Sequence, residues 1–187
     1  MRWSLLFDDL EAQLAEVDRV ELGLEVAEHV RAERGQVALA DRLAASVGAT
    51  VRLRVRGAGT VVGVLVEVGS GWCVLQTSVA GPERRRPVLV ALPAVSTLGG
   101  LPVRADRPAT HAPRRLDLRH ALRALSRDRA VVRLVDVDGA DLTGTIDRVG
   151  LDHLDLADHP DDVPRRPGAV RLYHAVPFTA VAAVRQV

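Results

Sequence analysis

An internal repeat is the feature of this 187-residue sequence that most limits its fold. Several apolar residues and glycines recur at an offset of 81 residues. The matched pairs are Val51 and Val132, Leu53 and Leu134, Gly63 and Gly144, Gly69 and Gly150, and Leu75 and Leu156. Pro93 is matched to Pro177 after a longer loop in the second copy. The repeat therefore predicts two similarly folded units in one chain.

The pattern inside each copy changes from helical to extended. A short helical stretch, 38–45 or 119–126, opens the copy. In the first copy Val51, Leu53 and Val55 then alternate with arginines, which is typical of a half-buried strand. Glycine-rich turns at 57–59 and 69–71, and later Pro93, separate five short strands. The sequence thus predicts a mainly β protein in which each copy has one helix followed by five strands.

Four segments follow from this pattern. Residues 1–37 form an acidic N-terminal helical arm, in which the helix over 4–32 carries an apolar stripe. Residues 38–100 are the first copy, 101–117 a linker rich in proline and arginine, and 118–187 the second copy. The apolar stripe packs on its own protein or binds a partner, and the sequence leaves both alternatives open.

The charges are unevenly distributed, although the formal net charge is only +1. Residues 1–34 carry a net charge of −5, residues 35–127 a net charge of +9, and residues 128–187 a net charge of −3. All 25 basic residues are arginine, which indicates a GC-rich genome rather than a function. Residues 35–127, the basic block, either bind a polyanion or are neutralised by the acidic arm.

Several classes of protein are disfavoured. With Cys73 as the single cysteine, the chain holds neither an internal disulfide nor a cysteine zinc site, and Cys73 itself is expected to be a small buried residue. The sequence has no 18-residue apolar span and no secretory signal, so a cytoplasmic location is expected. The acidic segment 152–162 lacks zinc-ligand spacing and is expected to be a solvated loop. No catalytic or cofactor-binding motif is found, and we expect a non-enzymatic protein without a cofactor.

The segment from Gly139 to Gly150 resembles the first motif of Sm-like (Lsm/Hfq-type) domains. It has a turn glycine, a glycine at 144 within the strand, and alternating apolar residues that end at a turn. This resemblance implies two tandem five-stranded SH3-like barrels, assembly through exposed edge strands, and RNA binding. The tandem arrangement also resembles uncharacterised actinobacterial proteins, some of them labelled Fis-family regulators. Fis-type binding needs a helix-turn-helix, whereas the last 60 residues here are typical of strands.

The candidate nucleic-acid-binding residues are mostly arginines, which suit phosphate groups. Trp72 and His153 are added as side chains that could stack on bases. The full set is Arg52, Arg54, Arg56, Trp72, Arg84, Arg85, Arg86, Arg114, Arg115 and His153. The Arg-Gly pair of the Sm-like family is missing from both copies. This absence favours a protein-interaction or scaffold module, which is the alternative prediction. The basic block favours nucleic acid, RNA first, and this is the prediction that we prefer.

Overall fold

The structure is a computed structural model that describes residues 38–78, 85–101, 116–162, 165–166 and 168–187, with Arg85 described in its backbone only. Contacts divide the chain into two units, Met1–Ala38 and Leu39–Val187. The predicted helix over 4–32 lies outside the described residues, as do Arg84, Arg114 and Arg115. None of the described helices is long and apolar enough to cross a membrane.

The described part of the chain contains ten strands and two α-helices, in the predicted order. Helix α1 is Leu39–Ala44 and is followed by β1 Thr50–Val55, β2 Gly59–Gly69, β3 Trp72–Ser78, β4 Arg85–Ala91 and β5 Val95–Gly99; helix α2 is Leu118–Arg127 and is followed by β6 Val131–Asp136, β7 Asp141–Val149, β8 His153–Asp158, β9 Leu172–Pro177 and β10 Val181–Gln186. Short 3₁₀ turns, Leu92–Ala94 and Phe178–Ala180, precede β5 and β10. The prediction of a mainly β protein is confirmed.

All ten strands belong to one antiparallel sheet with the order β5-β1-β2-β3-β4-β10-β6-β7-β8-β9. In this order the first copy is β5-β1-β2-β3-β4 and the second copy is β10-β6-β7-β8-β9. The two copies thus have the same strand order, and β10 is the equivalent of β5. The copies are joined by pairing of β4 with β10, in which Leu89 lies opposite Val184. The pairings of the described strands thus define one open sheet, and not the closed barrels that the sequence led us to expect.

Two hydrophobic clusters lie on opposite faces of this sheet. The first contains Leu53, Leu65 and Leu75, and the second contains Leu134 and Leu156. The two joining strands contribute to both clusters: in β4, Val88 and Val90 pack in the first and Leu89 in the second. In β10, Ala182 and Ala183 pack in the first cluster, and Val181 and Val184 in the second. The junction strands are therefore buried on both faces, which couples the two copies.

The structure corrects the alignment of the end of the repeat. The backbone N–H of Arg56 donates to the carbonyl of Ala94, and the N–H of Val137 donates to the carbonyl of Ala180. Arg56 and Val137 are related by the offset of 81, so Ala94 and Ala180 are equivalent positions. Pro93 is the second residue of its 3₁₀ turn, whereas Pro177 precedes the second turn. The predicted match of Pro93 with Pro177 is therefore wrong by two residues.

Candidate nucleic-acid interface

Exposed arginines on β1 are the part of the predicted site that the structure brings together. Arg52 and Arg54 are exposed, while Val51, Leu53 and Val55 on the opposite face are buried, as the alternation predicted. Residues two apart on a strand lie on one face at a spacing of about 7 Å. The two guanidinium groups are thus held side by side on the outer surface of the first copy.

The cross-strand neighbours of these arginines are uncharged. Arg52 lies opposite Val62 on β2 and Gly99 on β5, and Arg54 lies opposite Thr60 and Thr97. Among the described residues, neither arginine takes part in an ion pair. Both positive charges therefore remain available to an external anion.

The second copy neutralises the corresponding position. Arg133, which matches Arg52, donates two side-chain hydrogen bonds to the carboxylate of Asp141. This pairing lowers the pKa of Asp141 below its ordinary value and raises the pKa of Arg133. Thr60 occupies in the first copy the position of Asp141 in the second. The difference of one residue leaves the arginine of the first copy without a carboxylate partner.

Two further arginines of the predicted set, Arg56 and Arg86, are exposed but differently placed. The guanidinium of Arg56 donates to the carbonyl oxygen of Pro93 at 3.2 Å. Arg85 and Arg86 were expected in a loop between the third and fourth strands, but β4 begins at Arg85. That prediction is wrong because Arg85 and Arg86 pair with Ser78 and Thr77 and extend the hairpin.

Trp72 was expected to stack on a base, and the structure contradicts this role. Its side chain is only 3% exposed and packs in the second hydrophobic cluster with Leu89 and Leu122. Its indole N–H donates to the carbonyl of Leu116 at 2.9 Å. The ring lies so close to Gly69 that a Cβ at that glycine would be 2.1 Å from it. Trp72 is therefore a core residue that connects the two copies.

His153 begins β8 and lies between two carboxylates. Its Nδ1 is 2.9 Å from an oxygen of Asp152, and its Nε2 is 4.0 Å from an oxygen of Asp155. The contact with the histidine lowers the pKa of Asp152. Because carboxylates repel phosphate, this setting disfavours contact of His153 with a nucleic-acid backbone, and His153 is not grouped with the arginines of β1.

The other chemically reactive side chains are structural. Cys73 is fully buried, and burial raises the pKa of its thiol to about 12, which agrees with its predicted role. The acidic segment 152–162 was expected to be a solvated loop, but most of it forms β8. His159 in this segment is fully buried, with Nε2 2.8 Å from the Thr145 hydroxyl and Nδ1 2.8 Å from the Pro160 carbonyl oxygen. In the part of the chain that the structure describes, no three His, Cys, Asp or Glu residues are grouped as metal ligands would be.

A cavity of about 350 Å³ between helix α2 and the sheet was not predicted from the sequence. Its floor includes Trp72, Leu89 and Val184, and its helix wall includes Ala121 and Ala124. The only signal in the sequence is the pair of alanines in α2, where larger apolar residues would fill the space. Since the floor combines strands of both copies, the cavity exists only through the β4–β10 pairing.

Comparisons with protein-family models, curated proteins and solved structures give no match to this chain. The resemblance to Sm-like domains thus stays a prediction.

Proposed function

We propose that this chain is a non-enzymatic nucleic-acid-binding protein that holds single-stranded RNA through phosphate contacts on the first copy. The observation that carries this proposal is the pair Arg52 and Arg54, which are exposed and without a carboxylate partner, whereas the equivalent Arg133 is bonded to Asp141. The net charge of +9 over residues 35–127 adds a long-range attraction for a polyanion.

The fold that we propose for this function is a tandem of two Sm-like units that share one open sheet. It is supported by the repeated order of five strands and by the two hydrophobic clusters, one for each copy. Because Trp72 is buried, recognition rests on phosphates rather than on stacked bases, and little base preference is expected.

Fluorescence anisotropy of labelled poly-U, poly-A and duplex DNA at two salt concentrations tests this proposal. We expect salt-sensitive binding of both single strands. The double variant Arg52→Gln and Arg54→Gln should weaken that binding at least about fivefold and lower the slope of log K against log salt by about 1.4. The matched control is Arg123→Gln with Arg171→Gln, which removes two exposed arginines elsewhere.

Two results would overturn the proposal. One is the absence of binding at micromolar protein and low salt. The other is an equal loss of affinity in both double variants, because the effect would then come from net charge and not from the face of β1. A preference for duplex DNA would move the proposal from RNA to DNA.

A second candidate function is a protein-interaction or scaffold role through the open edges of the sheet. The edge strands β5 and β9 are the equivalents of β10 and β4, which already pair inside the chain. The β5 edge adjoins the arginines of β1, and the β9 edge adjoins Asp155 and Asp158 on β8. Two edges with complementary charges favour head-to-tail association of chains.

Sedimentation of the full chain over a range of concentration and salt tests this second candidate. Thr97→Glu places a negative charge on the β5 edge and should abolish association by repelling the acidic β9 edge. Ser78→Glu, an exposed change on the interior strand β3, should leave it intact. A wild-type chain that stays monomeric at all concentrations and captures no protein partner would exclude this role.

A further inference from the structure

The cavity between α2 and the sheet has the size and lining of a small-molecule site. Its volume of about 350 Å³ lies at the lower end of the range for ligand pockets. Trp72, Leu89 and Val184 make an apolar floor, and the indole N–H of Trp72 is already bonded to Leu116. The floor therefore offers no unpaired polar group and suits an apolar body such as one aromatic ring with a short chain.

One side of the cavity opens to solvent. The lining includes Ala124 of the helix and, from the first copy, Val74 and Pro87. Ala124 and Pro87 are exposed, and Val74 is half-buried. Because Ala124 lines the cavity and has only a methyl side chain, we expect a larger residue at position 124 to reduce the space for an occupant.

The rim of the cavity carries more negative than positive charge. Glu67 and Asp128 both border it, and neither takes part in an ion pair among the described residues. Asp128 caps the C-terminus of α2, where the helix dipole adds a partial negative charge. Arg127 is the opposing guanidinium, and His120 is held by the Asp117 carboxylate at 2.6 Å. An anionic head group would thus meet two carboxylates and a helix C-terminus.

We propose that this cavity binds a small amphiphilic amine, with its apolar body on Trp72, Leu89 and Val184 and its ammonium group beside Glu67 and Asp128. The site goes beyond nucleic-acid binding, and none of the residues that line it is an arginine of β1. Its floor belongs to both copies, so an occupant would contact the β4–β10 junction directly.

Three compounds with one apolar body test the proposal: 4-phenylbutylamine, 4-phenylbutanol and 4-phenylbutyrate. Binding to the full chain is followed by Trp72 fluorescence in a Trp3→Phe background and by saturation-transfer NMR. We expect the amine to bind with a Kd of about 1 mM or below and about fivefold more tightly than the carboxylate. This preference should shrink in 0.5 M salt, because the Debye length falls to about 4 Å there from about 30 Å at 0.01 M.

Variants locate the bound amine. Ala124→Leu should reduce its affinity at least about tenfold by reducing the space for an occupant, while Arg123→Leu, an exposed position on the same helix that does not border the cavity, should not. Val74→Leu, at a lining position on β3, provides a second block if the first variant does not fold. Glu67→Gln should reduce the preference for the amine over the alcohol without changing the binding of the alcohol.

The proposal is overturned by any of three results. These are the absence of binding by the amine in the low-millimolar range, tighter binding of 4-phenylbutyrate than of 4-phenylbutylamine, or undiminished binding to folded Ala124→Leu protein. None of these results would contradict the nucleic-acid proposal, because that proposal is tested by variants of β1 only.

Discussion

Single positions decide where the two copies meet and where charge stays available. Gly57, in the turn between β1 and β2, has a φ of +72° and faces the turn that follows β6. A Cβ at Gly57 would lie 1.8 Å from the carbonyl oxygen of Asp136, so the site requires glycine for both its backbone angle and its contact. Asp141 forms a hydrogen-bonded ion pair with Arg133, whereas Thr60, at the position of Asp141, leaves Arg52 without a carboxylate partner.

Substitution of Gly57 by alanine should separate these two requirements. Gly59 has the same φ of +72°, but a Cβ added there would meet no atom within 4 Å. Gly59→Ala should therefore lower the free energy of unfolding only by the conformational cost of about 1 kcal/mol. Gly57→Ala should lower the free energy of unfolding by about 3 kcal/mol or more, since the Asp136 carbonyl must also move. Urea unfolding measures both values, and equal losses would show that the close contact is unimportant.

The ion pair between Arg133 and Asp141 predicts a small dependence of stability on pH. The pKa of Asp141 is lowered in the folded protein, so its contribution is present above the ordinary carboxyl pKa and is lost as the pH falls through the folded value. Because both side chains are about half exposed, Asp141→Asn should cost at most about 1 kcal/mol at neutral pH and progressively less as the pH falls below the ordinary carboxyl pKa. The control is Asp138→Asn, and a constant difference from wild type across this range would contradict the assignment.

At the scale of the element, helix α2 is held to the rest of the protein by few buried residues. Helix α2 is capped by Asp117, which accepts a hydrogen bond from the backbone N–H of His120 at 3.0 Å. Within the helix, Leu122 is fully buried, whereas Ala121 and Leu125 are only partly buried beside the cavity. The helix is therefore anchored mainly by one side chain, and its alanines leave the space that forms the cavity.

Truncation of Leu122 should show how strongly this anchor holds the helix. Leu122→Ala is expected to lower the free energy of unfolding by about 2–5 kcal/mol, because it removes a fully buried side chain. Arg123→Ala, the adjacent exposed position, should change it by less than about 0.5 kcal/mol. Circular dichroism during urea unfolding measures both. A loss below about 1 kcal/mol for Leu122→Ala would indicate that α2 is held mainly by other contacts.

At the scale of the whole molecule, the two copies form one continuous sheet rather than two independent domains. Strands β4 and β10 contribute to both hydrophobic clusters, and Trp72 of the first copy packs in the cluster of the second. The unit Leu39–Val187 is therefore expected to lose its structure cooperatively, because neither cluster is complete without residues of the other copy.

Two probes of unfolding test this cooperativity. In a Trp3→Phe background, Trp72 fluorescence reports the junction, and far-UV circular dichroism reports the strands of both copies. The two urea transitions should coincide in the wild type. Val51→Ala in the first cluster and Leu134→Ala in the second should each shift both transitions together. Separate midpoints for the two probes would show that the copies unfold independently.

The sequence by itself determined the elements of this protein. The offset of 81 residues located the repeat, and the alternation of Val51, Leu53 and Val55 with arginines gave both the strand and its exposed face. These features were predictable because side-chain direction alternates along a strand and glycine punctuates turns, which are local properties of the backbone. The same local reasoning identified Arg52 and Arg54 as exposed charges.

Only the tertiary structure decided how the elements combine. The pairing of β4 with β10 joins residues almost a hundred positions apart, and no local pattern encodes that choice of partner. It buries Trp72, which local reasoning had placed on a binding surface, because the outer face of the first copy becomes part of the second hydrophobic cluster. The same pairing creates the cavity beneath α2. Burial at the junction depends on distant residues, so it could not be derived from the neighbours of Trp72 in the sequence.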